Sequence, residues 1–514
     1  MNAELDPITL SVLASALAGI AEEMGAVLIR AAYSSNIKER RDCSTAVFDA
    51  NGVMVAQAEH IPVHLGAMPE AVAAVMHRNP QPRDVFAMND PYSGGTHLPD
   101  VTLISPIAVA EELVGYAVTR AHHSDIGGMR AGSMPSDSRD VFQEGLVIPP
   151  VRLVQHGEIV RDVFDLVLAN SRTPRLRRGD LRAQIAANSL AERRLQELAG
   201  RRGLDVVLAA FGDVVAYSER MARHIVSELP DGSFRAESEI EGDGVRDEDI
   251  PIRVEVTIEG DRLIVDLSGT SAAVPGNVNC PLSVTRSACY FAFRVLIPQE
   301  VPVNAGTYMP VTILAPEGSL VNARPPSAVV AGNVETSQRV ADTVLLALAA
   351  ATDLPAQGQG TMNNVAIGGA GWTYYETLGG GQGASSSGPG PSGVHVGMTN
   401  TRNTPIEAFE LEYPMRVERY ELLDGTGGDG RYRGGDGLVR SIRVLEPASA
   451  SLLTDRRRHA PAGANGGGPG RPGRNLRNGV ELPPKTSVDL EPHDVLTIET
   501  PSGGGWGRAH PAGR

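Results

Sequence analysis

The chain has 514 residues, enough for about three domains of the usual size. Hydrophobic residues make up 42% of it and charged residues 21%, a balance typical of folded globular proteins. The net charge of −15 argues against a general role in binding nucleic acids or membrane surfaces, because both partners are polyanionic.

The cysteines, the lysines and the N-terminus limit which cellular compartment and which kinds of catalytic site the sequence favours. Three scattered cysteines are too few for a disulfide framework, which favours a reducing compartment. The start of the chain lacks a basic leader, and no apolar run approaches the ~20 residues needed to span a bilayer. We therefore expect a cytoplasmic protein. Lys38 and Lys485 are the only lysines, and neither lies in a G-x-x-x-x-G-K-[ST] motif, so ATP is expected to bind elsewhere if it is used.

An amphipathic helix is predicted to open the protein. Asp6 suits an N-cap and Pro7 the first helical turn, and apolar residues then recur at three- and four-residue spacing as far as Leu28. A β-hairpin is predicted next, because alternating apolar residues flank Asn51 and Gly52, a pair favoured in type I′ turns.

A second predicted hairpin carries metal-type ligands at its open end. Residues 101–109 and 113–120 are rich in strand-forming types and flank a polar turn at Glu111 and Glu112. If the turn centres on Glu111, Asp100 faces His122 across the strands, with Cβ atoms about 5 Å apart. That separation suits two ligands of one ion.

Other histidines could complete this site. His97 lies three residues before Asp100 and can join from the preceding loop, and such nitrogen and oxygen donors suit Mn²⁺, Zn²⁺ or Fe²⁺. His123 is a candidate fourth ligand, although strand alternation directs it to the other face. His64 could reach the site from another loop or be a hydrogen-bonded core histidine. The competing interpretation is that these polar side chains only cap strand ends.

The remaining patterns predict a multidomain α+β protein. Two helices are expected within 176–228, strands within 232–269, further helices at 281–295 and 335–351, and a β-rich end. The segment 357–404 is dense in glycine, serine and asparagine, and two alternatives stay open for it: an ordered glycine-rich loop system or a mobile lid. We expect an N-terminal α+β domain with the metal site (1–230), a central α+β domain (231–356) and a glycine-rich, β-rich C-terminal domain (357–514).

Several ungapped motifs are characteristic of one family. They are ERRDCS (39–44), NDPYSGGTHLPD (89–100), HHSDIGG (122–128), QEG (143–145), NSR (170–172), PGN (275–277), NTRNTP (400–405) and GGGWG (503–507). With these motifs the chain resembles the hydantoinase B/oxoprolinase family, which includes N-methylhydantoinase B subunits, the C-terminal half of 5-oxoprolinases and acetone carboxylase α subunits. The resemblance covers nearly the whole chain.

The resemblance implies an ATP-dependent hydrolase of cyclic amides. It implies a hydantoinase A-type partner with an actin-like ATPase fold, which binds ATP and phosphorylates the substrate, in a hetero-oligomer with two or more copies of each chain. The substrate would be a hydantoin, 5-oxoproline or a related lactam. In the carboxylase relatives a transition metal lies in this subunit class, at positions that match His97, Asp100 and His122. The alternatives are the α subunit of an ATP-dependent ketone carboxylase and a scaffold that only positions the ATPase.

Further charged residues could act on such a substrate. Asp42 and Asp125 lie in motifs beside the predicted metal site and are candidates for a general base or an additional ligand. Arg172, Arg457 and Arg458 could hold a phosphorylated intermediate, because guanidinium groups match phosphate geometry. The alternatives are ordinary hydrogen-bonding carboxylates and solvated or interfacial arginines.

Overall fold

A computed structural model describes residues 5–59 and 61–509 and confirms a mixed α+β architecture with several sheets. Its first part contains α1 (Pro7–Ala31), α2 (Ser35–Lys38), β1 (Cys43–Asp49), β2 (Met54–Glu59), α3 (Met68–Met76), β3 (Val85–Met88), β4 (Asp100–Val109), β5 (Glu112–His122), β6 (Val151–Gln155), β7 (Glu158–Ile159), α4 (Arg161–Ala169), α5 (Pro174–Arg202) and α6 (Leu204–Ser227).

The later elements complete the chain in the predicted order. They are β8 (Gly232–Glu241), β9 (Asp249–Glu259), β10 (Arg262–Asp266), α7 (Leu282–Arg294), α8 (Ala305–Tyr308), β11 (Val311–Leu314), α9 (Ser337–Leu348), β12 (Asn364–Gly369), β13 (Trp372–Glu376), α10 (Ile406–Glu412), β14 (Met415–Leu422), β15 (Leu438–Val444), β16 (Ala448–Leu453), β17 (Arg474–Arg477), β18 (Val480–Leu482), β19 (Lys485–Leu490) and β20 (Val495–Glu499). The three-domain division at 230 and 356 stays a prediction.

A seven-stranded antiparallel sheet forms the framework of the first part. Its strand order is β2-β1-β5-β4-β3-β6-β7. Helices α1 and α5 pack on one face through a cluster of buried apolar side chains that includes Leu17, Val47 and Ala187. Neighbouring antiparallel strands run in opposite directions. The strands β1 and β4 therefore begin, and β5 ends, at the same end of the sheet.

The β4–β5 hairpin has the predicted register, but its turn lies at a different position and one strand contains a bulge. Asp100 pairs with His122, as predicted. The turn, however, consists of Ala110 and Glu111, both with positive φ, so it is centred half a residue earlier than expected. A bulge at Val114 adds one residue to β5 and restores the alignment.

The first hairpin is confirmed, but its predicted turn type is wrong. Strands β1 and β2 pair antiparallel, and Gly52 N–H donates to Asp49 O over 3.1 Å. Gly52 has φ of 79°, whereas Asn51 is not among the residues with positive φ, which a type I′ turn requires at both central positions. The Asp49 carboxylate instead holds the loop by accepting hydrogen bonds from the N–H groups of Asn51 and Val53.

Helix α1 begins as predicted and is a core helix on its inner side. The Asp6 carboxylate accepts hydrogen bonds from the N–H groups of Ile8 and Thr9. Contrary to the expectation that no apolar run approaches the length of a membrane span, α1 is, within the described ranges, the one helix long and apolar enough to cross a membrane by length and composition alone. Its buried side chains, Leu17 and Met24 among them, pack in the core cluster that also contains the sheet.

The central part combines a four-stranded sheet with helices. The sheet order is β11-β10-β9-β8, with β10 and β11 parallel. A π-helical turn, Gly332–Thr336, leads directly into α9, which packs on β8 and β9. Such turns widen a helix locally and are frequent at functional sites.

Two further sheets and a glycine-rich bundle form the last part. The sheets have the orders β13-β12-β16-β19 and β14-β15-β20-β17-β18. Between them, extended glycine-rich segments bond backbone to backbone: Gly503 N–H donates to Gly435 O, and Gly435 N–H to Gln382 O. A Cβ at Gly435 would lie 1.8 Å from Pro391 O, so only glycine permits this approach. These bonds favour the ordered alternative for segment 357–404.

Candidate metal centre

Three donor atoms converge at the open end of the β4–β5 hairpin. His97 Nε2 and His122 Nδ1 each lie 3.3 Å from Asp100 Oδ1, and the two nitrogens are 3.2 Å apart. All three side chains are buried. A tight turn in which Asp100 N–H donates to His97 O brings the loop histidine back to the strand.

The spacing of these donors fits a transition metal ion. Zinc–nitrogen and zinc–oxygen bonds of about 2.0–2.1 Å place neighbouring ligand atoms of one ion about 3.0–3.4 Å apart. The observed separations of 3.2 and 3.3 Å fall in that interval. Within the described part of the chain, Asp100 Oδ1 is buried without a hydrogen bond of good geometry, and so is His122 Nε2. A cation would compensate the cost of the unpaired buried carboxylate oxygen.

The sheet order also brings Asp42 and His64 to the same point. Asp42 immediately precedes β1, and its carbonyl accepts a hydrogen bond from His122 N–H over 3.0 Å. His64 lies in a 3-10 turn, Pro62–His64, with Nε2 3.4 Å from Asp100 Oδ2. Asp42, His64 and Asp100 form a second group whose ligand atoms all lie within 4.8 Å of one another.

Electrostatic interactions hold Asp100 ionised. Burial alone would favour the neutral acid, but the charge of His97 and the close approach of the His122, His64 and His97 rings keep the pKa of Asp100 well below its usual value. Burial lowers the pKa of His122. For His97 burial acts in the same direction, yet the Asp100 carboxylate outweighs it and raises the pKa. The carboxylate is therefore in the protonation state that a metal ligand needs.

An aromatic stack supports the His122 ring. Tyr375 of β13 stacks on it with ring centroids 4.3 Å apart and an interplanar angle of 11°. The buried Arg40 guanidinium lies 4.9 Å from the centre of the tyrosine ring, and its Nη2 is 3.7 Å from Asp42. Arg40 also donates to Tyr375 O and Thr377 Oγ1. The last part of the chain thus closes over the ligands supplied by the first.

These groups enclose a small cavity of about 20 Å³. Its wall combines the donors with side chains from distant elements: Ile61, Val63, Asn333, Val334, Met362, Tyr375, Thr377, Thr399 and Thr401. A space of this volume holds about one water molecule or one ion.

His123 and Asp125, two other predicted site residues, lie away from this cavity. His123 follows the end of β5, and its Nε2 is 2.9 Å from Gln184 Oε1 of α5, on the other face, as strand alternation predicts. Asp125 is fully buried and accepts hydrogen bonds from the N–H groups of Gly127 and Gly132. It also accepts bonds from the backbone and guanidinium of Arg172. The structure does not bring His123, Asp125 or Arg172 together with the three ligands.

The predicted phosphate-binding arginines of the last part lie in a separate network. Arg457 donates to Asn363 Oδ1 and Asn475 Oδ1, and its backbone N–H to Glu241. Arg458 is half-exposed and pairs with Asp249. Neither side chain lines the cavity.

Sequence reasoning missed the residues that enclose the ligands. Tyr375, Thr377 and Asn333 line the cavity, although they lie more than 200 residues from Asp100 in the chain. The available signal was the NTRNTP motif, which contains the cavity residue Thr401. Nothing in the spacing of the motifs along the sequence indicated that the NTRNTP segment folds against the hairpin.

Comparison with known proteins assigns the family. The hydantoinase B/oxoprolinase model matches residues 6–509. The chain belongs to the hydantoinase B/oxoprolinase family. This family member is 39% identical to an uncharacterized protein of Methanocaldococcus jannaschii, over 98% of this chain and 91% of that one. It is 35% identical to the B-type subunit of a putative D-/L-hydantoinase from a Pseudomonas strain, over 98% and 90% of the two chains.

Longer relatives and solved structures complete the comparison. Identity to the 5-oxoprolinase of Dictyostelium discoideum is 37% over 99% of this chain, but only 41% of that protein is covered. This hydantoinase B family chain thus matches about two fifths of the length of such enzymes. Its fold matches the ATP-dependent caprolactamase of Pseudomonas jessenii with a TM-score of 0.91 and 29% identity, over 98% and 92% of the chains. Acetone carboxylase, at 19% identity and a TM-score of 0.88 over 98% and 76% of the chains, shares the fold.

Proposed function

We propose that the chain is the hydantoinase B-type subunit of an ATP-dependent amidohydrolase that opens a hydantoin, 5-oxoproline or related lactam ring. The observation that carries the proposal is the convergence of His97 Nε2, Asp100 Oδ1 and His122 Nδ1 within 3.3 Å of one another, inside a chain of this family. Similarity to a putative hydantoinase and to an ATP-dependent caprolactamase supports hydrolysis. The likeness to acetone carboxylase extends to the fold alone.

In this proposal the three converging residues hold a divalent transition metal, Mn²⁺, Zn²⁺ or Fe²⁺. When bound, such an ion supplies Lewis-acid polarisation of an oxygen on the substrate. His64 and Asp42 stand beside the same carboxylate, and Asp42 is the candidate general base because it lines the cavity next to the ligands. Arg40, 3.7 Å from Asp42, keeps this carboxylate oriented.

The substrate must arrive already activated. An unactivated lactam resists attack by water, and phosphorylation of its oxygen makes the ring carbon more electrophilic. Among the described residues no nucleotide-binding P-loop follows a strand, so we assign ATP and phosphorylation to a hydantoinase A-type partner. We further propose a hetero-oligomer with two or more copies of each chain, located in the cytoplasm.

The cavity size sets a condition for this function. About 20 Å³ accommodates an ion or a water molecule, but not a five-membered ring. A ring substrate must therefore displace part of the wall. Thr399 and Thr401 are wall residues that belong to a segment without helix or strand. Binding of the partner chain or of the substrate would supply the energy for that displacement.

Metal content and ring opening together test the proposal. We would measure metal by elemental analysis and ATP-dependent hydrolysis of 5-oxoproline and hydantoins by the complex with an A-type partner. Wild type should carry about one metal per chain, and His97→Ala and His122→Ala should each lose both metal and activity. His123→Ala is the matched control, because it removes an adjacent buried histidine that faces α5. It should retain the metal.

Two results would contradict the proposal. An active complex that contains no metal would show that these residues do not act as metal ligands. Ring opening that persists in His97→Ala and His122→Ala would show that neither histidine is needed for catalysis. Consumption of bicarbonate without ring opening would instead identify a carboxylase.

A further inference from the structure

Asn333 lines the cavity with a carboxamide that the protein leaves unpaired. It belongs to the π-helical turn Gly332–Thr336, and the residue is only 3% exposed. Its Oδ1 is buried without a hydrogen bond. Across residues 5–59 and 61–509, Nδ2 has no hydrogen-bond partner either, since Asn333 bonds to other residues through its backbone only.

The other polar side chains of the wall, outside the two donor groups, are already paired. The hydroxyl oxygens of Thr377 and Thr401 lie 2.5 Å apart, and Thr399 Oγ1 lies 3.2 Å from a histidine nitrogen. The Tyr375 hydroxyl accepts a hydrogen bond from a neighbouring asparagine. Among these described wall residues, Asn333 therefore has the one polar side chain that remains available to a molecule in the cavity.

An unpaired carboxamide at this position destabilises the folded protein. A buried amide loses its hydrogen bonds to water, and nothing in the protein replaces them here. Most buried polar groups in folded proteins are paired, and departures from that rule are expected at functional sites. The side chain is thus explained better by a ligand than by the stability of the fold.

Two sequence motifs hold the turn that carries Asn333. The Glu144 carboxylate of the QEG motif accepts hydrogen bonds from the N–H groups of residues 329 and 330, both over 3.0 Å. The backbone oxygen of Asn277, in the PGN motif, accepts from the N–H groups of residues 331 and 332. Asn333 is therefore fixed in place, and a fixed group can recognise a substrate by its geometry.

We propose that Asn333 recognises the amide edge of the ring: its Oδ1 accepts a hydrogen bond from the ring N–H, and its Nδ2 donates to the ring oxygen. A carboxamide presents one acceptor and one donor side by side. A small ring holds its amide bond cis, so its N–H and its oxygen also lie side by side, whereas open-chain amides are trans. The inference rests on the proposed function and names the substrate class as cyclic amides with a free N–H.

This recognition is compatible with entry and activation of the substrate. Asn333 belongs to the fixed part of the wall, so a ring that displaces the segment of Thr399 and Thr401 meets it in its final position. The ring oxygen has a second lone pair, on the side away from N–H, that stays available for a metal ion or a phosphoryl group. Asn333 only binds, and no bond is made or broken at its side chain.

A pair of ring ligands tests the recognition directly. 2-Pyrrolidinone has the ring N–H, and γ-butyrolactone has an oxygen in its place. We would titrate both, by calorimetry, into the metal-loaded complex with an A-type partner. The preference for the lactam over the lactone should be about 10- to 100-fold smaller in Asn333→Ala than in wild type, with metal content unchanged. The same preference in both proteins, or no measurable binding of 2-pyrrolidinone to wild type, would overturn the proposal.

Asn279→Ala is the matched control for a structural role. Asn279 is also buried, but its carboxamide bonds to the backbone of Val274, Gly276 and Ala328. Its replacement should clearly lower the urea midpoint of the chain, because these bonds are lost. Asn333→Ala loses no hydrogen bond and should leave the midpoint nearly unchanged. Equal losses in the two variants would show that Asn333 is structural and would also overturn the proposal.

Ring opening separates this inference from the proposed function. In Asn333→Ala, kcat/KM for ATP-dependent opening of 5-oxoproline or hydantoins should fall by about the same 10- to 100-fold factor. A lactam preference that the variant loses, in a complex that opens no ring, would contradict only the proposed function. Ring opening with an unchanged lactam preference would contradict only the role of Asn333.

Discussion

The Asp100 carboxylate lies 3.3 Å from Nδ1 of His122, the residue directly opposite it in the β4–β5 hairpin. The strands β1 and β4 begin and β5 ends at the same end of the sheet, so Asp42 and His97 lie beside the pair. Asp100 also has contacts to His97 and His64, which makes it the one carboxylate shared by both donor groups. The centre of the site is therefore this side chain.

Asp100→Asn should abolish metal binding while preserving the fold. Asparagine has the same shape and can still accept a hydrogen bond from Thr96, but it lacks the negative charge that Asp100 would contribute to a divalent ion, since histidines bind a metal only in the neutral form. Elemental analysis after dialysis checks this, with circular dichroism to verify folding. A folded variant with about one metal per chain would show that Asp100 is not a ligand.

Tyr375 should act on the metal through the ring of His122. Tyr375→Phe keeps the stacked ring and should retain wild-type metal affinity, whereas Tyr375→Leu removes it. We expect the leucine variant to bind metal about 10- to 100-fold more weakly, the range seen when groups that orient ligands are lost. Competition titration with a chelator measures the difference. Equal affinities of the phenylalanine and leucine variants would show that the stack does not orient His122.

His64 should influence the site more than its neighbour Ser44 does. His64 Nδ1 is 3.0 Å from Ser44 Oγ, and this contact fits a tautomer in which Nδ1 accepts from the serine hydroxyl and Nε2–H points at Asp100 Oδ2, 3.4 Å away. His64→Ala should weaken metal binding at least 10-fold, and Ser44→Ala should have a smaller effect because the ring itself remains. The same chelator competition applies to both variants. An effect of Ser44→Ala as large as that of His64→Ala would contradict this order.

The ligand pairing could be predicted from the sequence because it depends on local strand alternation. Even so, two offsets cancel: the turn at Ala110 and Glu111 comes early, and the bulge at Val114 compensates for it. Without that bulge Asp100 would face Ala121, and every later side chain of β5 would change faces. Spacing alone gives no sign of a bulge.

The enclosure of the site could not be predicted, because it depends on contacts over long sequence distances. Tyr375 stacks on His122, and Asn333 and Val334 line the cavity, through the packing of later parts of the chain on the first. The pattern around Glu335 predicts an ordinary helix and gives no indication of a π-helical turn. Asp125 was singled out by its motif, which is equally consistent with a purely structural carboxylate.

Asp125→Asn should therefore lower stability instead of altering the metal site. The buried carboxylate accepts bonds from the N–H groups of Gly127, Gly132 and Arg172 and pairs with the Arg172 guanidinium. An amide replaces one acceptor oxygen with a donor, and the Arg172 side chain is partly exposed, so we expect a loss of about 1–3 kcal/mol in the free energy of unfolding. Urea unfolding measures it. Unchanged stability with loss of ring opening would restore Asp125 as a catalytic candidate.

The buried His123 should make the protein sensitive to acid. Burial, reinforced by the charge of Arg177, lowers the pKa of His123 to about 3, while the unfolded chain has the ordinary value of about 6.5. Between these values the unfolded state binds a proton that the folded state does not, so the stability falls as the pH falls through this window. The slope from this residue is up to about 1.4 kcal/mol per pH unit.

His123→Gln retains a donor for Gln184 but does not titrate. Its free energy of unfolding, measured in urea at constant ionic strength, should therefore decline less steeply from pH ~6.5 to ~4 than that of wild type. Parallel declines would show that His123 is protonated in the folded protein.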